Sequence, residues 1–219
     1  MIALKNLQVN LGGKAILEDL NFRFEKTGLY VILGNNGAGK TTLLKTICGL
    51  QNPNHGIVEA EGKSVHQLSL SERSSIIQYV DDPSPIPAFI KLTEYLTLGY
   101  QEDGVQIETV MQQLQLVDLK DREVASFSRG QQQKSMLAKL FYGDQPVWLM
   151  DEPSNYLDYP SLLHFWAEIQ EKAKQKLIIA TLHNPEEAIK LDAQILIIKQ
   201  KRLNKSENPS LNGIIQELN

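Results

Sequence analysis

The sequence is most informative at first for what it lacks. It has a single cysteine, Cys48, among 219 residues, so no disulfide can form within the chain. No apolar run approaches the roughly 20 residues that a membrane-spanning helix needs, and Met1–Lys5 lacks the pattern of a signal peptide. The formal net charge of −4 gives no general electrostatic case for binding nucleic acid. We therefore expect a soluble intracellular protein with no nucleic acid partner. If the protein serves a membrane process, the membrane-spanning part would belong to another chain.

One glycine-rich segment predicts that the protein binds a phosphate-containing ligand. Gly34–Thr41 has the pattern G-x-x-x-x-G-K-[ST] and follows the apolar run Leu29–Leu33. Its glycines let backbone N–H groups point at phosphate oxygens, and the helix predicted over Lys40–Leu50 adds partial positive charge at its N-terminus. Lys40 can reach the β and γ phosphates, and the Thr41 hydroxyl can ligate Mg²⁺. The predicted triphosphate-binding residues are Asn35, Asn36, Gly37, Ala38, Gly39, Lys40, Thr41 and Thr42.

The order of predicted elements indicates an α/β fold. Residues 2–33 are predicted to be β-structure, because Ile2–Val9 and Ala15–Phe24 alternate between apolar and polar positions on either side of a glycine turn; such a hairpin predicts an N-terminal antiparallel β subdomain. Strands and helices then alternate, as in the mostly parallel sheet of a P-loop NTPase core. Two helical patterns, Thr93–Gly99 and Gln106–Val117, interrupt this alternation and predict an inserted α-helical lobe. We expect one domain over residues 1–219, with a core of about 1–82 and 128–219 and a lobe of about 83–127.

Acidic and basic side chains follow two of the predicted strands. Asp151 and Glu152 come directly after the apolar strand Val147–Met150, at the sheet edge where ligand chemistry gathers. Asp151 suits an Mg²⁺ contact through water, and Glu152 is placed to orient or deprotonate a water that attacks the γ-phosphate. His183 follows the strand Leu177–Thr181 and is expected at the same edge, as a γ-phosphate contact or else as a loop residue or cap. The candidate catalytic residues are Lys40, Glu152 and His183.

An ordered set of motifs resembles the nucleotide-binding subunit of ABC (ATP-binding cassette) systems. After the phosphate loop, Ser126–Gln131 stands where that family has its L-S-G-G-Q signature. Asp151-Glu152-Pro153 is followed by Ser154–Asp158, which is similar to the family's D-loop, and His183 takes the position of its switch histidine. The resemblance covers nearly the whole chain, and the signature and D-loop together exclude most other P-loop families.

The resemblance implies binding and hydrolysis of ATP with Mg²⁺ by a dimer of two copies packed head to tail. Each ATP site would take its phosphate loop from one copy and its signature, with Ser128, Gly130 and Gln131, from the other. Ser128 and the backbone N–H groups at Gly130 begin a helix, so they can offer donors and a positive helix end to the γ-phosphate. ATP would hold the two copies together and its hydrolysis would release them.

Two positions differ from the family pattern in the ATP-binding motifs. Leu11 takes the place of the aromatic residue that stacks on adenine, and leucine can cover a base face without π-stacking. Arg129 takes the place of the first signature glycine, while Gly130 is kept. The arginine side chain would either favour phosphate or be solvated.

A third difference falls after the strand predicted over Ile76–Val80, where the family reads Tyr-Val-Pro-Gln and this chain reads Tyr79-Val80-Asp81-Asp82. Asp82 replaces a glutamine that helps to hold Mg²⁺ and links the site to a membrane partner. A carboxylate can still ligate Mg²⁺, so we expect hydrolysis with an altered Mg²⁺ dependence. An alignment shifted by one register stays open, although Gln78 is expected to point into the strand pattern. The candidate metal ligands are Thr41, Asp82 and Asp151.

Two further segments, Leu68–Arg73 and Ile90–Tyr100, resemble importer ATPases for iron chelates, haem and cobalamin. That resemblance implies separate transmembrane permease subunits, a substrate-binding protein, and a cytoplasmic location on the inner face of the cell membrane. One alternative is a soluble ABC ATPase acting on ribosomes, which Ser154–Asp158 also resembles. Another is a catalytically impaired cassette, suggested by Leu11, Arg129 and Asp82, although the intact lysine, acidic pair and histidine argue against it.

Overall fold

The chain forms two β-sheets with helices packed around them, in a computed structural model that describes residues 1–81, 89–100 and 107–218. The strands are β1 (Ile2–Leu11), β2 (Lys14–Arg23), β3 (Gly28–Leu33), β4 (His55–Ala60), β5 (Lys63–Ser64), β6 (Ile77–Val80), β7 (Val147–Asp151), β8 (Leu177–Thr181), β9 (Gln194–Lys199) and β10 (Arg202–Lys205). The α-helices are α1 (Lys40–Ile47), α2 (Leu70–Ile76), α3 (Leu92–Thr97), α4 (Ile107–Gln113), α5 (Arg129–Tyr142), α6 (Tyr159–Ala173), α7 (Pro185–Lys190) and α8 (Leu211–Leu218). Short 3₁₀ turns lie at Val65–Gln67, Val117–Leu119 and Val124–Ser126.

The first sheet is antiparallel and has the strand order β2-β1-β4-β5. Strands β1 and β2 form the predicted hairpin, with Leu11 opposite Lys14 across the two-glycine turn. Gly12 and Gly13 both adopt positive φ values, of 56° and 78°, which suits the tight connections that favour glycine. The prediction of an N-terminal antiparallel subdomain is therefore confirmed.

The second sheet is mostly parallel and has the order β10-β9-β3-β8-β7-β6. Strand β3 pairs in parallel with β8 and β9, and β7 lies between β6 and β8. Every residue of β7 and β8 is buried, as expected for strands covered on both faces. Because parallel strands end at one edge, the segments that follow β3, β7 and β8 come together there.

Side-chain alternation along β7 divides the core between the two faces of this sheet. Trp148 and Met150 pack with the aromatic side chains Phe141 and Phe165 from α5 and α6. Leu149 belongs to the other cluster, where α1 and the antiparallel sheet cover the opposite face. The phosphate-loop helix and the two helices α5 and α6 are thus fixed on opposite sides of the same strands.

Helices α3 and α4 lie between β6 and α5 in the chain and pack on α5. The buried side chains of Leu92, Leu96, Val110 and Met111 join them to the main core. This arrangement confirms the predicted fold class, an α/β P-loop core with an inserted helical lobe. Residues 82–88, where the predicted lobe begins, lie outside the described residues, and the lobe boundaries stay a prediction.

The sequence patterns gave no sign of α2, β5 or β10. Helix α2 has no buried residue, so it lacks the apolar periodicity that marks a helix. The available signal was its capping box, in which Ser69 and Glu72 each accept the other's backbone N–H. Strand β10 is a polar edge strand paired with β9. In the described part of the chain, every helix is too short or too polar to cross a bilayer.

Candidate functional site

The phosphate loop runs from β3 to α1 and is shaped by Gly39, the N-cap of α1. Gly39 has a φ of 102°, a left-handed conformation that favours glycine. A Cβ atom there would lie 2.9 Å from Cγ2 of Ile16 and 3.0 Å from Cδ2 of Leu17. Strand β2 therefore packs directly against the loop, and a side chain at residue 39 would push the two apart.

An open cleft of about 930 Å³ lies over this loop. Residues 36–42 line it together with Ile16, Glu152 and His183. Of the predicted loop residues, Asn35 instead donates from Nδ2 to the carbonyl of Leu218, at 3.4 Å. The cleft thus combines the phosphate loop with side chains from the ends of β7 and β8.

Lys40 is 6% exposed and its ammonium group points back along the loop. The Nζ atom donates to the carbonyl of Gly34 at 2.9 Å and lies 3.4 Å from Nδ1 of His183. Burial lowers the pKa of Lys40, and the negative charges of Glu152 and Asp151 oppose that change. The ammonium group is therefore a poorly solvated cation, held close to the loop that a phosphate would enter.

Glu152 connects three parts of the site. Its Oε1 lies 2.5 Å from Nε2 of His183, and its Oε2 accepts a hydrogen bond from Nδ2 of Asn155 at 2.9 Å. The backbone of Glu152 has a φ of 50°, which is uncommon for a residue other than glycine. This turn after β7 directs the carboxylate into the cleft, where it faces the imidazole.

Thr181 is a site residue that the sequence reasoning missed. Its buried hydroxyl donates to Oδ1 of Asp151 at 2.6 Å and accepts the backbone N–H of Glu152 at 3.0 Å. Asp151 is itself 5% exposed, so this hydrogen bond holds its carboxylate in one orientation. The only available signal was that Thr181 ends a buried strand next to the acidic pair.

The residues present fit a Mg²⁺ ion in the chemistry of their donor atoms. Thr41 offers a hydroxyl and Asp151 a carboxylate, both of them oxygen donors of the kind that Mg²⁺ prefers. Asp82, the third predicted ligand, lies outside the described residues. Its neighbour Asp81 has Oδ2 at 3.9 Å from Nζ of Lys45 on α1, and Gln78 donates to the carbonyl of Lys139 on α5 at 2.9 Å.

The signature segment lies at the start of α5 and lines a second candidate site. Ser128 is the N-cap, its hydroxyl accepts the backbone N–H of Gln131 at 3.3 Å, and the Gln131 side chain accepts the N–H of Ser128 in return. Gly130 allows a close approach, since a Cβ atom there would lie 2.8 Å from the carbonyl oxygen of Tyr156. Ser128, Gly130, Gln131 and Tyr156 line a hollow of about 570 Å³.

The two sites are separate within one chain. The hollow at the signature and the cleft over the phosphate loop share no lining residue among those the structure describes. The structure therefore brings Lys40, Glu152 and His183 together, but it does not bring Ser128, Gly130 or Gln131 to them.

Leu11 was predicted to cover the nucleobase, and the structure places it at the end of β1. Its side chain is 40% exposed, and it is not among the described residues that line the cleft. Ile16 on β2 lines the cleft instead, beside Ala38 and Gly39. The described lining contains no aromatic ring, so its only large apolar side chain is aliphatic.

The fold and the cleft define a P-loop nucleotide-binding protein. Residues 17–155 match the family model described as ABC transporter, and the chain belongs to this family. It is therefore an ATPase of the ABC class, and this agrees with the order of motifs in the sequence.

Similar proteins include ATP-binding proteins of transport systems from several bacteria. A probable siderophore transport system ATP-binding protein, YusV of Bacillus subtilis, is 28% identical over 95% of this chain and 80% of its own length. A probable iron chelatin transport ATP-binding protein of Helicobacter pylori is 26% identical over 93% of this chain and 85% of its own length. The taurine import ATP-binding protein TauB of Escherichia coli O157:H7 is 30% identical over 90% of this chain and 79% of its own length. The siderophore and iron chelatin relatives confirm the predicted similarity to the ATP-binding proteins of iron-chelate transport.

Solved structures agree with the fold. The ATP binding subunit of an ABC transporter has a TM-score of 0.84 at 24% identity, and the match covers 99% of this chain and 92% of that one. A dimeric ATP-binding cassette, MJ0796, in a post-hydrolysis state with ADP and Pi, has a TM-score of 0.81 at 20% identity. That match covers 95% of this chain and 100% of the other. At these identities the likeness shows a shared fold.

Proposed function

We propose that this chain is the ATP-hydrolysing subunit of an ABC importer, which works as a dimer around two Mg²⁺–ATP and drives a separate membrane permease. The observation that carries the proposal is the convergence of Lys40, His183 and Glu152 in one cleft over the phosphate loop. A buried cation, an imidazole and a carboxylate arranged around a phosphate-binding loop suit hydrolysis of a triphosphate.

ATP binding rests on the loop and the start of α1. Backbone N–H groups of residues 36–42 surround the phosphates, and Lys40 exchanges the Gly34 carbonyl for phosphate oxygens. Ile16 covers part of the base. Thr41 and Asp151, with Asp82 as the third predicted ligand, would hold Mg²⁺, which when bound would neutralise charge on the phosphates.

Hydrolysis rests on Glu152 and His183. A water oxygen bonds to the γ-phosphorus, the bond from that phosphorus to the β–γ bridging oxygen breaks, and ADP leaves with that oxygen. Glu152 orients the water and accepts its proton. His183 holds the Glu152 carboxylate at Oε1 and contacts the γ-phosphate. Thr181 is a positioning residue, because it acts through Asp151 and the backbone of Glu152.

The separation of the two sites supports dimerisation. Ser128, Gly130 and Gln131 lie in a hollow of their own, so they reach a γ-phosphate only if it is bound in the cleft of a second copy. The hydroxyl of Ser128 accepts its capping hydrogen bond and keeps its proton free to donate. The dimeric state described for a cassette of the same fold is consistent with this arrangement.

The proposed partners are permease subunits and a substrate-binding protein, with the chain on the cytoplasmic face of the membrane. Relatives described as siderophore and iron chelatin transport proteins support an iron chelate or a similar solute as cargo. A role on ribosomes is not favoured, because the relatives reported above are described as transport proteins.

Affinity purification of the tagged chain from detergent-solubilised membranes tests the coupling to transport. We expect a multi-span membrane protein to copurify with it, and we expect the purified complex to release phosphate from Mg²⁺–ATP. The Lys40→Ala chain is the matched control, since it should still bind the permease but release no phosphate. Recovery of ribosomal proteins without a membrane protein would contradict the proposal.

A further inference from the structure

Arg129 and Tyr156, from two different motifs, contact each other at the rim of the signature hollow. The guanidinium carbon of Arg129 lies 5.6 Å from the centroid of the Tyr156 ring, within the range of a cation–π interaction. Arg129 is the first residue of α5, and Tyr156 lines the hollow together with Ser128 and Gly130. Arg129 is not itself among the described lining residues, and the stacking places its guanidinium group next to the ring of Tyr156, which is one of them.

The backbone fixes the tyrosine in this position. Tyr156 has a φ of 65°, a conformation that is costly for an aromatic residue and persists only where the surroundings impose it. The close approach of Gly130 to the Tyr156 carbonyl, with 2.8 Å left for a Cβ atom, ties the loop to the first turn of α5. The main chain of Tyr156 is thus constrained, while its ring is 46% exposed and open to the guanidinium group of Arg129.

The charges around the hollow leave Arg129 available to an anion. Lys134 lies 3.8 Å from Asp158, and Glu152 faces His183 and Asn155 in the other site. In the described ranges, Arg129 has neither a carboxylate within ion-pair distance nor a hydrogen-bond acceptor for its guanidinium. Because a guanidinium has five N–H donors, stacking through its face leaves its edge donors free.

We propose that Arg129, oriented by Tyr156, is an additional phosphate-recognising residue that reaches the γ-phosphate bound by the second copy of the chain. This inference rests on the proposed dimer. A glycine at this position supplies only a backbone N–H, whereas Arg129 adds a full positive charge to the composite site. The added cation favours a triphosphate over a diphosphate as the ligand that joins the two copies, since the diphosphate lacks the group it contacts.

The test uses the Glu152→Gln chain as parent, so that ATP persists in the dimer. The ATP concentration for half-maximal dimer is measured by light scattering at fixed protein concentration, for Arg129→Ala, Arg129→Lys and Tyr156→Leu in that parent. ATP affinity of the dilute monomer is measured with a fluorescent ATP analogue. Arg122→Ala is the matched control, because Arg122 also stacks on an aromatic ring, with 5.6 Å to the centroid of Phe127.

We expect Arg129→Ala to raise the ATP concentration for half-maximal dimer by about tenfold, the effect of losing one charge-assisted contact. Tyr156→Leu should raise it less and Arg129→Lys should restore part of the loss, while Arg122→Ala should leave it unchanged. Monomer affinity for the analogue should stay the same in every variant. ADP should support no dimer in any of them.

Two results would contradict the role of Arg129 without contradicting the proposed dimer. One is an Arg129→Ala chain that forms dimer at the same ATP concentration as its parent. The other is an equal loss of analogue affinity in the monomer, which would place the effect in the arginine's own subunit. A parent that stays monomeric at saturating ATP contradicts the proposed dimer as well, and the parent measurement alone reveals that case.

Discussion

The imidazole Nε2 of His183 lies 2.5 Å from Oε1 of Glu152, while Nδ1 of the same ring lies 3.4 Å from Nζ of Lys40. An ammonium group can only donate, so Nδ1 accepts and Nε2 carries the proton that Glu152 accepts. A neutral imidazole therefore satisfies both neighbours at once. The three candidate catalytic side chains form one continuous hydrogen-bonded series. A γ-phosphate that enters the cleft would contact this series.

Lys40→Ala should weaken ATP binding. The substitution removes a charge-assisted phosphate contact worth about 2 kcal/mol, which corresponds to roughly a thirtyfold rise in Kd. Titration with a fluorescent ATP analogue measures the change. Lys45→Ala is the matched control, because Lys45 is on the same helix and pairs with Asp81 rather than lining the cleft. Equal effects of the two substitutions would show that Lys40 acts only through general charge.

Thr181→Val should lower both stability and turnover. The substitution keeps the side-chain shape but leaves the Asp151 carboxylate and the backbone N–H of Glu152 without their buried partner, at a cost of about 1–3 kcal/mol. Urea unfolding measures the loss of stability, and phosphate release measures kcat. We expect a larger fall in kcat than in ATP affinity, because the hydroxyl positions the residues that act on the γ-phosphate.

Thr46→Val separates the positioning effect from a general loss of stability. Thr46 is equally buried, and its hydroxyl donates to the carbonyl of Thr42 at 2.7 Å rather than to Asp151 or Glu152. We expect this variant to be destabilised without a matching fall in kcat. If Thr181→Val and Thr46→Val gave the same kcat, Thr181 would have a structural role only.

The single thiol should be unreactive in the folded protein. Burial raises the pKa of Cys48 to about 11, compared with about 8.5 for a free cysteine. At pH 8 the reaction with a disulfide reagent should therefore be roughly two orders of magnitude slower than in the unfolded chain. The release of the chromophore, with and without guanidinium chloride, measures this ratio. Rapid labelling of the native protein would show that Cys48 is accessible after all.

Much of the site could be predicted because its signals are local. The glycines of Gly34–Thr41 and the first residues of α1 lie in one short segment, so the loop could be predicted from that segment alone. Asp151 and Glu152 follow a strand whose own apolar residues identify it. Parallel strands that end at one edge then place His183 beside them. The fold class was predictable for the same reason, since the alternation of strands and helices is visible without knowledge of distant contacts.

The missed features depend on contacts between distant segments. Thr181 has a role only because β7 and β8 pair with Asp151 opposite it. Ile16 rather than Leu11 lines the cleft because β2 packs under Gly39. The spacing of residues along the chain does not predict that packing. The stacking of Arg129 on Tyr156 joins residues that are 27 positions apart. Strand β10 and helix α2 were missed because polar, exposed elements carry little periodicity.

Light scattering on the Glu152→Gln chain shows whether Mg²⁺–ATP joins two copies of the protein. The substitution keeps the size of the side chain but removes the carboxylate that would accept a proton from water, so ATP should bind and persist. The 24.7 kDa chain should double its mass in the presence of Mg²⁺–ATP, remain monomeric with Mg²⁺–ADP, and show phosphate release reduced by about 100-fold or more. A Glu152→Gln chain that stays monomeric at saturating ATP would contradict the ATP-dependent dimer, and one that hydrolyses ATP at the native rate would contradict the role of Glu152 as the base.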